Sequence, residues 1–333
     1  MENNIDFCFF GVYEKVFTNF IEYKKSLGFK YGNSRNYQLQ RLNRFLVREY
    51  NPTEVCFTKE MVFDYLNLFS NTSPETFHNI ECLLRQIGLY LERLGYENVY
   101  VYPENKKKVT TTFTPYIYSA EEIHRIFDSI NKLPEKTKFD NHHRLFYQTF
   151  IRLLYSTGMR ISEATNLKIT DVNLENGVIV IHDGKEKVSR LVPVCSTMLH
   201  WLRKYYSETN FQHCSEYFFK PTCRSTAQRK PSTIDHYFKD CILPLANIKR
   251  KEDDSGPRVH DLRHTFACNA LDKLIKEGKD PYCALPYLSL YLGHKGIEST
   301  EKYLRLTSEH FQELTNATHY IYVDSLGGDD NED

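Results

Sequence analysis

Apolar residues recur at helical spacing through the first hundred positions, in four separate stripes. Val16, Phe20, Tyr23 and Leu27 form the first, Leu39, Leu42 and Leu46 the second, and Val62, Tyr65, Leu66 and Phe69 the third. The fourth is the longest, with Phe77, Ile80, Leu84, Ile87, Leu91 and Leu94 alternating steps of three and four. Together they predict a small helical domain over residues 1–101. Its polar positions carry Lys24, Lys25, Lys30, Arg35, Arg41, Arg44 and Arg48, interleaved with Asn and Tyr. Such residues form either an ordinary solvated face or a surface that contacts phosphates.

Residues 102–118, YPENKKKVTTTFTPYIY, break the period and read as an extended linker, with Lys106, Lys107 and Lys108 available to a polyanion. A capping box, Ser119 to Glu122, then opens a second domain ahead of Ile123, Ile126, Phe127 and Ile130. An apolar helix from about Leu145 stops at Gly158, whose tolerance of positive φ suits a helix end. Val178–Ile181 and Val188–Val194 are β-branched runs joined by Asp183-Gly184, a hairpin signal. A further helix starts near Pro257 and Asp261; a stripe of Leu285, Leu288 and Leu292 ends at Gly293. Ser299 can then cap a last helix that holds Tyr303 about one turn in.

Composition adds limits. The chain has 333 residues, enough for two domains, with globular fractions of hydrophobic (41%) and charged (26%) residues. No apolar run is long enough for a membrane span, and the acidic, amphipathic start does not read as a signal peptide, which points to the cytoplasm. Nine scattered cysteines without a CxxC pair favour reduced thiols over a disulfide framework. His213, Cys214 and Cys223 would need a fourth ligand to hold zinc. Net charge is zero, but residues 324–333 form an acidic tail with five acids, leaving +5 on the rest.

Four places carry polar residues in positions that suggest chemistry. In LLYSTGMRISEATNL, a helix stop directly before Arg160 aims that side chain, with Glu163 three residues on; a structural ion pair is the plainer reading. Lys185 and Lys187 project from the hairpin tip, where lysines are usually just solvated. In GPRVHDLRHTFACNAL, His260 and Arg263 flank a helix start, a natural phosphate site; His260, Asp261 and His264 could alternatively ligate a metal. In LGHKGIESTEKY, His294 lies just past a helix end, and Tyr303 follows it by nine residues.

In this order and spacing the four segments resemble the tyrosine recombinases, the phage-integrase family of DNA strand-exchange enzymes. TGMRISEATNL looks like the family's first box, GKEKVSRLVPV its catalytic-lysine hairpin, HDLRHTFA its HxxR box, and LGHKGIESTEKY its LGH box with the nucleophilic tyrosine. The resemblance implies a mainly α fold with a small β-sheet: an N-terminal helical core-binding domain, the linker, and an α+β catalytic domain over 119–323. It implies no additional domain ahead of the first helix.

Carried over, the family's catalytic set falls on Arg160, Lys185, His260, Arg263, His294 and Tyr303, with Glu163 supporting them and Lys24, Lys25, Arg41, Arg44 and Lys106 to Lys108 on DNA. Lys187 competes with Lys185 for the hairpin role. The two arginines suit the charge that builds on an attacked phosphodiester. Tyr303 must approach a phenolate, which from a pKa of about 10 costs roughly 4 kcal/mol at pH 7. His260 is the expected proton acceptor, His294 a donor to a non-bridging oxygen and Lys185 the acid for the departing 5′ oxygen. The implied product is a 3′-phosphotyrosine link, which needs neither ATP nor a metal. The implied partners are duplex DNA and further copies of the chain in a tetramer, with residues 307–323 docking on a neighbour; accessory proteins are left open. A mobile-element role is favoured. The competing functions are a catalytically silent DNA-binding protein on the same scaffold and a metal-dependent phosphohydrolase using His260, Asp261, His264 and His294.

Overall fold

The computed structural model describes residues 8–29, 31–105, 114–134, 137–182, 189–209, 216–221, 225, 227–250, 256–294, 296, 300–301, 303–304 and 306. They fall into two compact units, Met1–Thr112 and Phe113–Asp333.

The first unit contains α1 (Glu14–Ser26), α2 (Asn33–Tyr50), α3 (Lys59–Asn67) and α4 (Pro74–Arg93). Each apolar stripe turns inward: Phe20, Leu42, Leu46, Val62, Leu84 and Leu91 are among its fully or almost fully buried side chains. Thr58 caps α3 and Ser73 caps α4, each accepting a backbone N–H, with Pro74 pre-set for the first helical position. Leu27 and Leu94, the last members of their stripes, are exposed because they are the C-caps of α1 and α4, where the chain leaves the helical face.

Both described ends of the expected linker are tied down. Tyr102 donates its hydroxyl to buried Glu81 of α4, and Arg85 donates to the Tyr102 carbonyl. At the far end, Tyr118 is buried, its N–H donating to Thr265 and its hydroxyl to the Arg258 carbonyl. The division between the units falls inside this segment, and Lys106, Lys107 and Lys108 lie outside the described residues.

The second unit begins with α5 (Ala120–Asn131), whose Ser119–Glu122 capping box forms as expected. Next come α6 (Lys138–Thr157) and α7 (Ile161–Thr165). Sequence periodicity places the start of α6 near Leu145; a Thr137–Asp140 capping box starts it earlier, in a mostly polar stretch whose single apolar residue, Phe139, sets no period. α6 buries Leu145, Phe146, Tyr147, Phe150, Ile151, Leu153 and Leu154, which wrap about two thirds of its circumference and make it the central helix of this core. A three-stranded antiparallel sheet follows, in order β1 (Val172–Asn173), β2 (Val178–Ile181), β3 (Arg190–Pro193), with Ile181 opposite Arg190. β1 was not anticipated, since two residues carry no period. Residues 183–188, including Lys185 and Lys187, are outside the described set.

α8 (Ser196–Thr209) packs on α6. α9 (Pro231–Tyr237) continues through a π-helical Phe238–Ile242 into α10 (Leu243–Leu245). The last long helices are α11 (Asp261–Lys276) and α12 (Pro281–Leu292). Between them sits a second apolar cluster that contains Leu271, Leu285, Leu288 and Leu292, together with Tyr303.

Candidate active site

Two helix ends create the centre of the site. α6 stops at Gly158 with φ of 61°, a left-handed conformation, and a Cβ there would stand 2.4 Å from Phe266 Cδ1. α12 stops in the same manner at Gly293, φ 68°. Each stop leaves carbonyls without intrahelical partners at the negative end of a helix dipole. Arg263, on the first turn of α11, fills the space between them: Nη1 donates to the Gly158 carbonyl at 2.7 Å and Nη2 to the Leu292 carbonyl at 2.8 Å. Only 3% of it is exposed, and burial, reinforced by Arg160, draws its pKa down to about 10. It stays a cation at neutral pH.

His294 follows the α12 stop. Its Nε2 lies 2.9 Å from Arg263 Nη2 and its Nδ1 2.8 Å from Thr300 Oγ1. A guanidinium can only donate, so Nε2 accepts and the ring proton belongs on Nδ1, donated to buried Thr300. A donor role for His294 toward a phosphate therefore requires this pair to open.

Arg160 is the N-cap of α7, placed there by the turn after Gly158. Its Nη1 donates to Glu163 Oε1 at 2.8 Å and its backbone N–H to Oε2 at 2.9 Å. The plain ion pair expected from the sequence is thus present. Glu163 has a further partner that sequence reasoning passed over. Arg190, at the start of β3, donates to Oε1 at 3.1 Å and Oε2 at 2.7 Å, a forked pair with both side chains nearly buried. Burial pushes the Glu163 carboxyl up, but Arg190 and Arg160 outweigh it and hold the pKa at about 2. The signal for Arg190 was its place in GKEKVSRLVPV, at the foot of the predicted hairpin.

Tyr303 is 1% exposed, in a helical turn with Thr300, Glu301, Leu304 and Leu306. Its hydroxyl lies 3.1 Å from Nδ1 of His264. His260 is the exposed N-cap of α11, its ring packed edge-on against His264 at 5.0 Å between centroids. His264 lies one turn further along the helix and is buried, which brings its ring to the Tyr303 hydroxyl. Burial raises the Tyr303 pKa to about 12, against a lowering pull from Arg263 and Arg160.

The set proposed for a metal does not converge. Asp261 turns its carboxylate to the backbone N–H and side chain of Arg258, while His264 faces Tyr303 and His294 faces Arg263 and Thr300. Among the described residues no three metal-ligating side chains cluster. His213, Cys214 and Cys223 lie outside them.

In the first unit, Arg41 and Arg44 are exposed on α2 and line an open groove with Arg48, Tyr50, Asp64 and Tyr65. The Arg41 guanidinium rests over Phe69 at 4.4 Å. Lys25 is exposed, whereas Lys24 is half-buried between the rings of Phe20 and Phe29, and burial lowers its pKa.

Comparison with known proteins identifies the family of the chain. Residues 118–310 match the model of the phage integrase family. The chain is 32% identical over 202 residues to the putative integrase/recombinase y4rB of Sinorhizobium fredii, covering 60% of this chain and 64% of that one. It is 29% identical over 144 residues to the tyrosine recombinase XerA of Thermococcus kodakarensis, covering 43% and 44%. It therefore spans less than two thirds of the length of these relatives. Its fold is similar to that of the XerH site-specific recombinase bound to palindromic difH in a post-cleavage complex (TM-score 0.55, 20% identity, 86% of this chain and 72% of that one). It is likewise similar to the lambda integrase dimer bound to a COC′ core site (TM-score 0.57, 15% identity, 86% and 76%). The chain belongs to the phage integrase family, the tyrosine recombinases.

Proposed function

We propose that this protein is a site-specific DNA recombinase that cuts and rejoins duplex DNA through a 3′-phosphotyrosine intermediate on Tyr303. The observation that carries the reading is the convergence of Arg263 with His294 and of Arg160 with Glu163 beside the Gly158 turn, within reach of the electrostatics of Tyr303. In the reaction, the Tyr303 oxygen bonds to phosphorus and the P–O bond to the 5′ oxygen breaks. Arg160 and Arg263 neutralise the charge that gathers on the non-bridging oxygens. The phenolic proton passes to the His260–His264 pair, His264 Nδ1 being the atom the hydroxyl already meets. Lys185 protonates the departing 5′ oxygen. Religation reverses these steps with a different 5′ hydroxyl, so the energy of the broken bond is retained.

The resting arrangement holds this chemistry in check. From a pKa of about 12, ionising Tyr303 at pH 7 costs on the order of 7 kcal/mol, against roughly 4 kcal/mol for an ordinary tyrosine. Productive DNA binding on this reading draws Tyr303 out of its apolar cluster and toward the arginines. Arg41, Arg44, Lys25 and Lys106 to Lys108 contribute phosphate contacts, further copies of the chain complete the assembly, and the biological role is movement of a mobile element. The test is an SDS-resistant protein–DNA adduct formed in EDTA on nicked duplexes tiled across the DNA that flanks this protein's gene. Metal-dependent cleavage without an adduct would replace this reading with a hydrolase.

A further inference from the structure

The Glu163 carboxylate is saturated. Oε1 accepts from Arg160 Nη1 and Arg190 Nη1, and Oε2 from the Arg160 backbone N–H and Arg190 Nη2. Arg190 commits both terminal nitrogens to this one acceptor, and its Nε makes no hydrogen bond among the described residues. It is also boxed in: a Cβ on Gly293, the residue before His294, would stand 2.8 Å from Arg190 Nη1. One side chain thus joins the foot of β3, the start of α7 and the stop of α12.

The charges make this more than a brace. Glu163 fixes Arg160 by binding it, but a buried carboxylate 2.8 Å from a guanidinium also cancels much of its field. With only those two residues, a phosphate arriving at Arg160 would meet a near-neutral ion pair. Arg190 supplies the second cation, 2.7 Å from the same carboxylate, so the Arg160–Glu163–Arg190 group keeps one positive charge. The side chains of Arg190 and Glu163 are 7% and 4% exposed, where water screens little, while Arg160, at 13%, is the more open end of the group.

We infer that Arg190 is a positioning residue that compensates the charge of Glu163, so that Arg160 is held in place yet remains a net cation toward a bound phosphate. The inference rests on the recombinase reading for Arg160 as a phosphate ligand. It differs from a structural role in one respect. A brace that is removed is not restored by removing what it braced, whereas an uncompensated charge is relieved when that charge is removed.

The experiment measures inorganic phosphate binding by the full chain at low ionic strength. The site's share is defined as the binding lost in Arg160→Gln, and thermal melts of each variant report folding. Arg190→Met is expected to weaken that share at least tenfold, and Arg190→Lys less. Glu163→Gln/Arg190→Met keeps the single positive charge of the wild-type group and is expected to recover to within about threefold of wild type, while Glu163→Gln, with two cations and no carboxylate, binds at least as tightly as the double variant. Should Arg190→Met fail to fold, the comparison of the double variant with wild type still decides, since the group carries the same net charge in both. A double variant more than tenfold weaker than wild type, or phosphate binding indifferent to Arg160, overturns the inference. The same variants in the adduct assay should follow the same order. If wild type forms no adduct on any duplex while the phosphate pattern holds, the recombinase reading fails and the charge compensation stands.

Discussion

The hydroxyl of Tyr303 meets Nδ1 of His264 at 3.1 Å, inside an apolar cluster that leaves Tyr303 1% exposed. This contact keeps the proposed nucleophile hydrogen-bonded, neutral and away from solvent. It also supplies a proton acceptor four residues from the exposed His260. A histidine acting as general base is typically worth about 10²- to 10⁴-fold in rate. Adduct formation by His264→Gln should fall into that range below wild type, with a smaller loss for His260→Gln. The reverse order, measured as single-turnover rates, would return the acceptor role to His260.

Glu163 titrates in the folded protein at about 2, below the ordinary carboxylate value of 4.5. A depressed folded pKa contributes stability that is fully present above the unfolded value and is lost as pH falls through the folded one. The contribution is about 3 kcal/mol at neutral pH, from roughly 1.4 kcal/mol per unit. Urea unfolding of wild type should therefore weaken between pH 5 and 2 more steeply than that of Glu163→Gln. The two should converge toward the acid end, and parallel pH curves would contradict the assignment.

Gly158 holds a left-handed φ of 61°, and a Cβ there would clash with Phe266. Gly158→Ala should cost on the order of 1–3 kcal/mol, combining backbone strain with overpacking. Adding Phe266→Ala should restore only the overpacking part, as double-mutant denaturation would show. Full restoration would mean that the backbone is not strained.

For Arg41 and Arg44, a phosphate contact predicts a change in salt dependence. Each arginine replaced by glutamine should reduce the slope of log K against log salt by about one, across DNA sequences alike. An unchanged slope would make α2 an ordinary solvated face.

How much of this was legible in the chain follows from which interactions are local. The four stripes, the Ser119 capping box and the Gly158 and Gly293 stops depend on residues within one or two turns, and all form. Arg160, Arg263, His294 and Tyr303 could be picked out by spacing, and three long-range contacts then join Arg263 to Gly158, Leu292 and His294. Arg190 and His264 were in plain view within recognised segments, but their partners lie 27 and 39 residues away, beyond any helical or strand period. β1 and the early start of α6 were missed for want of an apolar pattern. The burial of Tyr303 is likewise a tertiary fact, since it joins a cluster with Leu271, Leu285 and Leu288, residues distant in the chain.

In the proposed reaction Tyr303 becomes bonded to a 3′ phosphate. The direct measurement isolates the SDS-resistant adduct formed in EDTA on a nicked duplex, digests protein and DNA, and maps the linked residue by mass spectrometry, with Tyr303→Phe alongside. The expected result is a nucleotide joined through its 3′ phosphate to the peptide that contains Tyr303, a free 5′ hydroxyl on the other strand end, and no adduct from Tyr303→Phe despite unchanged DNA binding. An adduct on another residue, a 5′ linkage, or cleavage that persists in Tyr303→Phe would contradict it.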